Sequence, residues 1–322
     1  MKIRKVKTQF VFFRICLAIA MWGVLGGMTV YASVDRLSVN GTFLVNERQE
    51  KVVLKGVSLG WHNWWPRFYN ASAVKNLKEQ WGCTLLRAAM GVEPEGAYLS
   101  DPEKALTCVT TVVDAAIKND MYVIVDWHSH GIHTQEARQF FSKMVRRYKG
   151  VPNVIYEVFN EPVEDSWEAV KAYAEEIISE IRSVDKDALI LVGTPHWDQD
   201  LHLAADNPIT GVRNVMYTLH FYAATHQKEL RERADYALKK GLPVFVSECA
   251  GMEASGDGRL DKKEWNEWLQ WMKRHHISWA AWSVSDKNET CSMFYPSAPD
   301  AGWTDSDVKE WGQMVKKALS EK

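Results

Sequence analysis

The chain has 322 residues, of which 46% are apolar and 25% charged, with a formal net charge of −2. That mixture belongs to a soluble globular protein and excludes a disordered, collagen-like or multi-spanning membrane chain. Residues 1–32 carry five cations and no acid, which leaves the rest of the chain at −7 and argues against a nucleic-acid partner.

The basic start runs into an apolar stretch, Ile15–Val30, followed by Tyr31 and Ala32. A positive segment, an apolar segment and small residues at a cleavage point are the three parts of a secretory signal peptide. The apolar run is shorter than the ~20 residues that span a bilayer, so cleavage near Ala32 is expected over retention as an anchor. The mature chain is then residues 33–322, secreted or periplasmic.

A hairpin-like opening, LSVNGTFLVN, leads into a repeating rhythm of apolar runs and amphipathic stretches. Strands are expected at 52–59, 84–90, 122–128, 154–161, 189–194, 214–222, 243–248 and 278–284. Helical periodicity marks 71–81, 102–118, 134–149, 167–184, 227–239, 262–275 and 305–319, while the connection after Thr194 is poor in helical signal. Near-continuous apolar strands separated by helices read as a parallel sheet buried on both faces. Eight such units, with no linker and no phosphate-binding glycine loop, point to one α/β domain, a (β/α)8 TIM barrel with a short N-terminal β-hairpin.

Active sites in this architecture lie where strands end. Polar and aromatic residues recur there: Arg87, His128, Asn160 with Glu161, His220 with Tyr222, Glu248 and Trp282. Two carboxylates at one mouth suit glycosidic-bond hydrolysis, in which one protonates the leaving oxygen and the other attacks the sugar carbon or activates water. The bland reading of the pair is two glutamates in ion pairs, with Arg87 as a partner. The chain's 15 tryptophans fit either a large core or a surface that stacks on flat ligands such as sugar rings. Trp265, Trp268 and Trp271, three residues apart on one helix, read as a packing face.

The strings LKGVSLGWHNWW, LLRAAMG, VIVDWH, VIYEVFNEP, VMYTLHFYA, VFVSE and ISWAAWSVSDK resemble glycoside hydrolase family 5, nearest its bacterial endoglucanase branch, subfamily 2. The resemblance runs from about Leu37 to the C-terminus. It implies a retaining endo-β-1,4-glucanase, with Glu161 as general acid/base and Glu248 as nucleophile. By the same resemblance Asn160 meets the sugar 2-hydroxyl, Arg87 and Tyr222 sit against the nucleophile, and His128 and His220 line the −1 subsite. Trp282 is the stacking platform there, and Trp64, Lys287 and Glu289 belong to subsites further out. The implied partner is a β-glucan polysaccharide or oligosaccharide, with no cofactor, no metal, no obligate protein partner and a monomeric state. The chain departs from the family at Cys249-Ala250-Gly251, at Val163 and at Ser283.

Three other activities compete: a mannanase, glucomannanase or xyloglucanase on the same barrel, a non-catalytic carbohydrate-binding barrel, and a metal hydrolase built on His128, His130 and His133. Both carboxylates are present, which disfavours the second, and the family accounts for His128 without metal. The cysteines leave two readings open. Cys83, Cys108, Cys249 and Cys291 are four buried thiols, or Cys249 and Cys291 form a bridge bracing the loop that holds Lys287 and Glu289 while Cys83 and Cys108 stay reduced.

Overall fold

Eight parallel strands close into a barrel in the computed structural model, which describes residues 34–321. The expected signal segment, 1–32, lies outside the described residues. After an antiparallel hairpin, β1 (Ser38–Asn40) and β2 (Phe43–Val45), come β3 (Lys55–Leu59), β4 (Leu85–Gly91), β5 (Tyr122–His128) and β6 (Val154–Glu157). The circle continues with β7 (Leu189–Val192), β8 (Val215–Tyr222), β9 (Val244–Ala250) and β10 (Trp279–Val284), which pairs back onto β3. The barrel and its hairpin are those the sequence pattern predicts.

The helices form where capping and apolar period agree. Asp101 accepts a hydrogen bond from the Lys104 amide and Pro102 occupies the first turn of helix Pro102–Lys118, which buries Val109, Val112 and Val113. Ser166 caps Trp167–Val184 in the same way, and Asp261 caps Lys262–His275. The latter helix buries Trp265, Trp268 and Trp271, so that tryptophan row is a packing face. The last predicted helix begins later than expected: a single 3-10 turn, Asp305–Asp307, precedes helix Glu310–Ser320.

Two differences in the strands matter for the site. β6 stops at Glu157, so Asn160 and Glu161 lie in the loop that follows and not at a strand end. Between β8 and β9 the register steps from Thr218↔Phe245 to His220↔Glu248, two residues on one strand against three on the other. Such a bulge re-aims side chains. Here it brings Ser247 and Glu248, neighbours in sequence, to the same interior, where both make buried polar contacts.

The barrel's N-terminal end is filled by Leu85, Ile124, Ile155, Leu191, Met216, Phe245 and Ala280, packed with Leu37 and Leu44 of the opening segment. The hairpin thus closes the floor of the barrel. A second, larger shell joins the strands' outward residues, such as Leu86 and Met90, to the surrounding helices.

Candidate active site

Above the apolar floor most strands carry a buried polar side chain: Ser58, Arg87, Asp126, Glu157, Thr218 and Ser247. Arg87, the third residue of β4, is fully buried, a place where an unpaired guanidinium would be costly. Its Nε donates to Glu157 Oε2 (2.7 Å), its Nη1 to Glu248 Oε2 (2.9 Å) and its Nη2 to Asn160 Oδ1 (2.6 Å), and Nη2 forms an ion pair with Asp126 Oδ2 at 3.0 Å. One cation therefore fixes residues from β5, the end of β6, the following loop and β9. Asn160 Oδ1 is consumed by this contact, and its Nδ2 is buried without a protein partner among the described residues, a donor left over for another molecule.

Glu248 has its other oxygen held by Tyr222, whose hydroxyl donates to Oε1 at 2.8 Å. Burial and the Glu248 charge push the Tyr222 phenol well above its ordinary value, so it stays a donor. Glu161 is held from two sides: His220 Nδ1 lies 2.8 Å from Oε1 and His130 Nε2 3.4 Å from Oε2. One oxygen of Glu161 and one of Glu248 lie within 4.8 Å of each other.

The two carboxyls are pushed in opposite directions. Burial raises Glu161, but the hydrogen bonds from His130 and His220 outweigh it and hold the carboxyl below its ordinary range. Burial and then the charge of Glu161 raise Glu248, against the pull of His220 and Arg87. Placing a proton on Glu161 removes the second of those upward pushes, so the state with Glu161 protonated is the one in which Glu248 ionises most readily.

His128, the last residue of β5, donates or accepts through Nδ1 at Asp126 Oδ2 (2.7 Å). Burial, then the Arg87 charge, depress its pKa well below the usual value, so the ring is neutral. It stacks face to face on Trp282, 5.3 Å between centroids and 4° from parallel. Trp282 thereby has one wall fixed, and the peptide joining it to Ser283 is cis.

His128, His130, Glu161, Tyr222, Glu248 and Trp282 line a cleft of about 420 Å³ that also contains Trp61, Trp64, Trp65, Lys287 and Glu289, with Arg87 and Asn160 buried behind it. Trp64 is half exposed at its rim and packs on Trp61, with centroids 4.8 Å apart. Lys287 and Glu289 pair with each other at 2.6 Å. A second lobe of about 450 Å³ shares Glu161 and Tyr222 with the first and is walled by His196, Trp197, His220 and His226. A larger hollow of about 690 Å³ surrounds the hairpin at the opposite end of the barrel. Its charged groups pair off locally, Arg213 with Asp187 and Lys240 with Asp206, and it holds no comparable constellation.

All eleven residues singled out in the sequence are thus in or against one cleft. Strand-end placement, however, describes only His128 and Tyr222; Arg87, Glu248 and Trp282 lie within their strands. His130 stood in the sequence only as a metal candidate, yet it touches Glu161. The three imidazoles of that candidate diverge, His128 to Asp126, His130 to Glu161 and His133 to Glu93. Two other trios, Glu157/Asp198/His220 and Glu161/His220/Glu248, bring possible ligand atoms together. Each His220 nitrogen already has a hydrogen-bond partner, Nδ1 with Glu161 Oε1 at 2.8 Å and Nε2 with Ser247 Oγ at 2.9 Å, while Asp198 and Glu157 lie 3.3 and 3.8 Å from Nε2.

Sequence reasoning missed Asp126, Glu157, Asp198 and Trp197. Asp126 was findable, since it stands two residues before His128 on one strand face. The Cys249–Cys291 bridge is not formed: all four described cysteines are free, and Cys108 is only half buried. Cys249 alternates with Glu248 and so points away from the cleft, its Sγ 3.4 Å from Ala280 O, whereas Cys291 Sγ faces Glu289 Oε1 at 3.4 Å. Cys249 is the small apolar filler between β9 and β10.

Comparison with known proteins gives one answer throughout. Residues 45–288 match the family model described as cellulase (glycosyl hydrolase family 5). Endoglucanase Z of Dickeya dadantii is 44% identical over 295 residues, 90% of this chain and 67% of that protein. An endoglucanase of Clostridium saccharobutylicum is 37% identical over 321 residues, 95% of this chain and 71% of that one. Among solved structures, the catalytic domain of Thermobifida fusca endoglucanase Cel5A, in complex with cellotetraose, superposes with a TM-score of 0.84 at 30% identity, covering 89% of this chain and 97% of that one.

Proposed function

The chain belongs to glycosyl hydrolase family 5, the cellulases, and on that premise we propose that it is a retaining endo-β-1,4-glucanase acting on cellulose and related β-glucans. Glu161 acts as acid and then base, and Glu248 as nucleophile. The observation that carries retention is the approach of their oxygens to within 4.8 Å, which matches the ~5–5.5 Å spacing of retaining carboxyl pairs and falls short of the ~6.5–9.5 Å of inverting ones.

The first step breaks the bond from the sugar C1 to the leaving oxygen as Glu248 Oε bonds C1 from the opposite face. The Glu161 proton goes to the leaving oxygen, which departs as a neutral hydroxyl. Arg87 and Tyr222 hold Glu248 in line, and the free Nδ2 of Asn160 supplies a hydrogen bond to the 2-hydroxyl. In the second step Glu161, now a carboxylate, takes a proton from water, the oxygen bonds C1, and Glu248 is released. Trp61 and Trp64 stack sugars on the bound side of the cut, with Lys287 and Glu289 beside them. Trp197 walls the leaving side. The protein works as a secreted or periplasmic monomer after loss of residues 1–32.

The test is proton NMR of the first sugar released from a soluble β-glucan. The β anomer should appear first and mutarotate afterwards, while an initial α anomer would overturn the nucleophile assignment. Product sizes on glucomannan, xyloglucan and xylan, run beside the β-glucan, decide between the proposed polymer and its rivals.

A further inference from the structure

The segment after β7 has an uncommon backbone. His196, Trp197 and Asp198 are all left-handed, with φ of 62°, 54° and 59°. Side-chain-bearing residues adopt this region rarely, and three in succession persist only where surrounding structure holds them. The hold is visible. The Trp197 amide donates to Pro162 O (3.1 Å) and the Asp198 amide to Thr194 O (3.0 Å). At Gly193 a Cβ would meet Phe159 O at 2.5 Å and Asp198 Oδ1 at 3.1 Å, so only glycine admits this packing. The outcome is that Trp197 stands 41% exposed as the wall of the leaving-side lobe while the next residue, Asp198, is wholly buried.

Asp198 lies behind His220. Its Oδ2 is 3.3 Å from His220 Nε2 and accepts from the Thr218 hydroxyl, and its Oδ1 accepts from the Thr194 amide at 2.6 Å. His220 Nε2 also lies 2.9 Å from Ser247 Oγ, whose own proton goes to Glu157 Oε1 at 2.5 Å. Ser247 Oγ is therefore an acceptor toward Nε2, and Asp198 Oδ2 is a second one in its ionised form, which burial opposes and the His220 charge and the Thr218 hydroxyl favour; with these partners Nε2 carries the hydrogen. In a neutral ring that leaves Nδ1 bare, 2.8 Å from Glu161 Oε1.

We infer that Asp198 is a positioning residue for proton delivery: seated behind His220, it keeps the hydrogen on Nε2 and makes Nδ1 the partner that shares the acid's proton with Glu161. This rests on the reading of Glu161 as the acid. Whether the proton sits on Glu161 or on Nδ1, it stays within one 2.8 Å contact beside the leaving oxygen.

The electrostatic setting agrees. The acids facing His220 are Glu161 from the loop after β6, Glu157 from β6 itself, Asp198, and Glu248 across the β8–β9 pair. Arg87, His128 and His130 are the opposing groups; burial holds His128 neutral, while the hydrogen bond and charge of Glu161 outweigh burial and raise His130, and His226 in the same lobe is held neutral by burial. Burial lowers His220, but Asp198 and the two glutamates more than reverse it and hold the imidazole well above its ordinary value. Removing the Asp198 charge weakens the pair's grip on its proton. In addition, an Asn amide turned toward Nε2 would favour the other tautomer, with Nδ1–H donating to an ionised Glu161. Both effects lose the acid at lower pH.

The experiment compares pH profiles of kcat/KM for wild type, Asp198→Asn and Glu161→Ala, on cellotetraose and on an aryl cellobioside whose leaving group needs no proton. Asp198→Asn should move the alkaline limb down by about one pH unit or more on cellotetraose and leave the aryl profile in place. An unmoved limb, or an equal shift on both substrates, would reduce Asp198 to a packing residue. Glu161→Ala separates the two failures: if it spares cellotetraose, the acid assignment falls, and if it strikes cellotetraose selectively while Asp198→Asn changes nothing, only the role of Asp198 falls. Nitrogen NMR of the His220 ring in the unaltered protein covers a variant that does not fold. A hydrogen on Nε2 across the pH range is expected, and a bare Nε2 with a protonated Nδ1 contradicts the inference.

Discussion

On β4, Leu85 and Arg87 stand two residues apart and face the same interior, yet Leu85 joins a hydrocarbon plug while Arg87 touches three carboxylates. β5 repeats the change from Ile124 to Asp126, and β6 from Ile155 to Glu157. Below the boundary, side chains lower the free energy of the fold by leaving water. Above it, buried charges cost desolvation and are held by mutual pairing, which makes them weak contributors to stability and strong constraints on one another. The boundary divides labour along each strand: the lower half makes the barrel, and the upper half uses its rigidity to keep charged groups where water would scatter them.

The largest effect that sharpens this division is on stability alone. Phe245, fully buried in the plug, stands below Ser247 and Glu248 on β9. Phe245→Ala should cost about 3–5 kcal/mol of unfolding free energy, read by denaturant titration. kcat of the protein still folded should stay within a few-fold of the parent. A kcat loss as deep as that of an active-site variant would show that plug and charged layer are not separable.

At the opposite extreme, Trp64 is at the rim and buried in neither layer. Trp64→Ala should leave unfolding unchanged within about 0.5 kcal/mol. It should raise KM on long β-glucan oligosaccharides about 5–30-fold, equivalent to about 1–2 kcal/mol of stacking, with kcat little altered. A fall in kcat with KM constant would place Trp64 at the reacting sugar, against its position 53% exposed at the mouth.

The plug and the barrel were legible because burial on both faces writes itself as uninterrupted apolar runs, and capping residues such as Asp101 and Ser166 mark where helices start. Glu161 and Glu248 were legible because their flanking strings resemble a known family. The charged layer between them was not. Asp126 had a signal only in its two-residue spacing from His128, while Glu157 and Asp198 look in sequence like any surface acid, and folding buries all three. Strand period also fails at the bulge in β9, where Ser247 and Glu248 share an interior that alternation would deny to one of them. Of the two readings of the cysteines the free thiols hold, and the bridge fails for the reverse reason: alternation does hold from Glu248 to Cys249, and it turns Cys249 away from the cleft.

The central claim is that Glu248 bonds sugar carbon. A cellobioside with fluorine at C2 and a good leaving group slows both steps, because fluorine disfavours the oxocarbenium-like transition state, while the leaving group restores the first. The glycosyl-enzyme then accumulates, and proteolysis with mass spectrometry locates it. The account predicts one sugar adduct per chain on the peptide containing Glu248, reached through the cleft that Arg87 and Tyr222 hold in place. An adduct on Glu161, or an active enzyme that forms no adduct under these conditions, would contradict it.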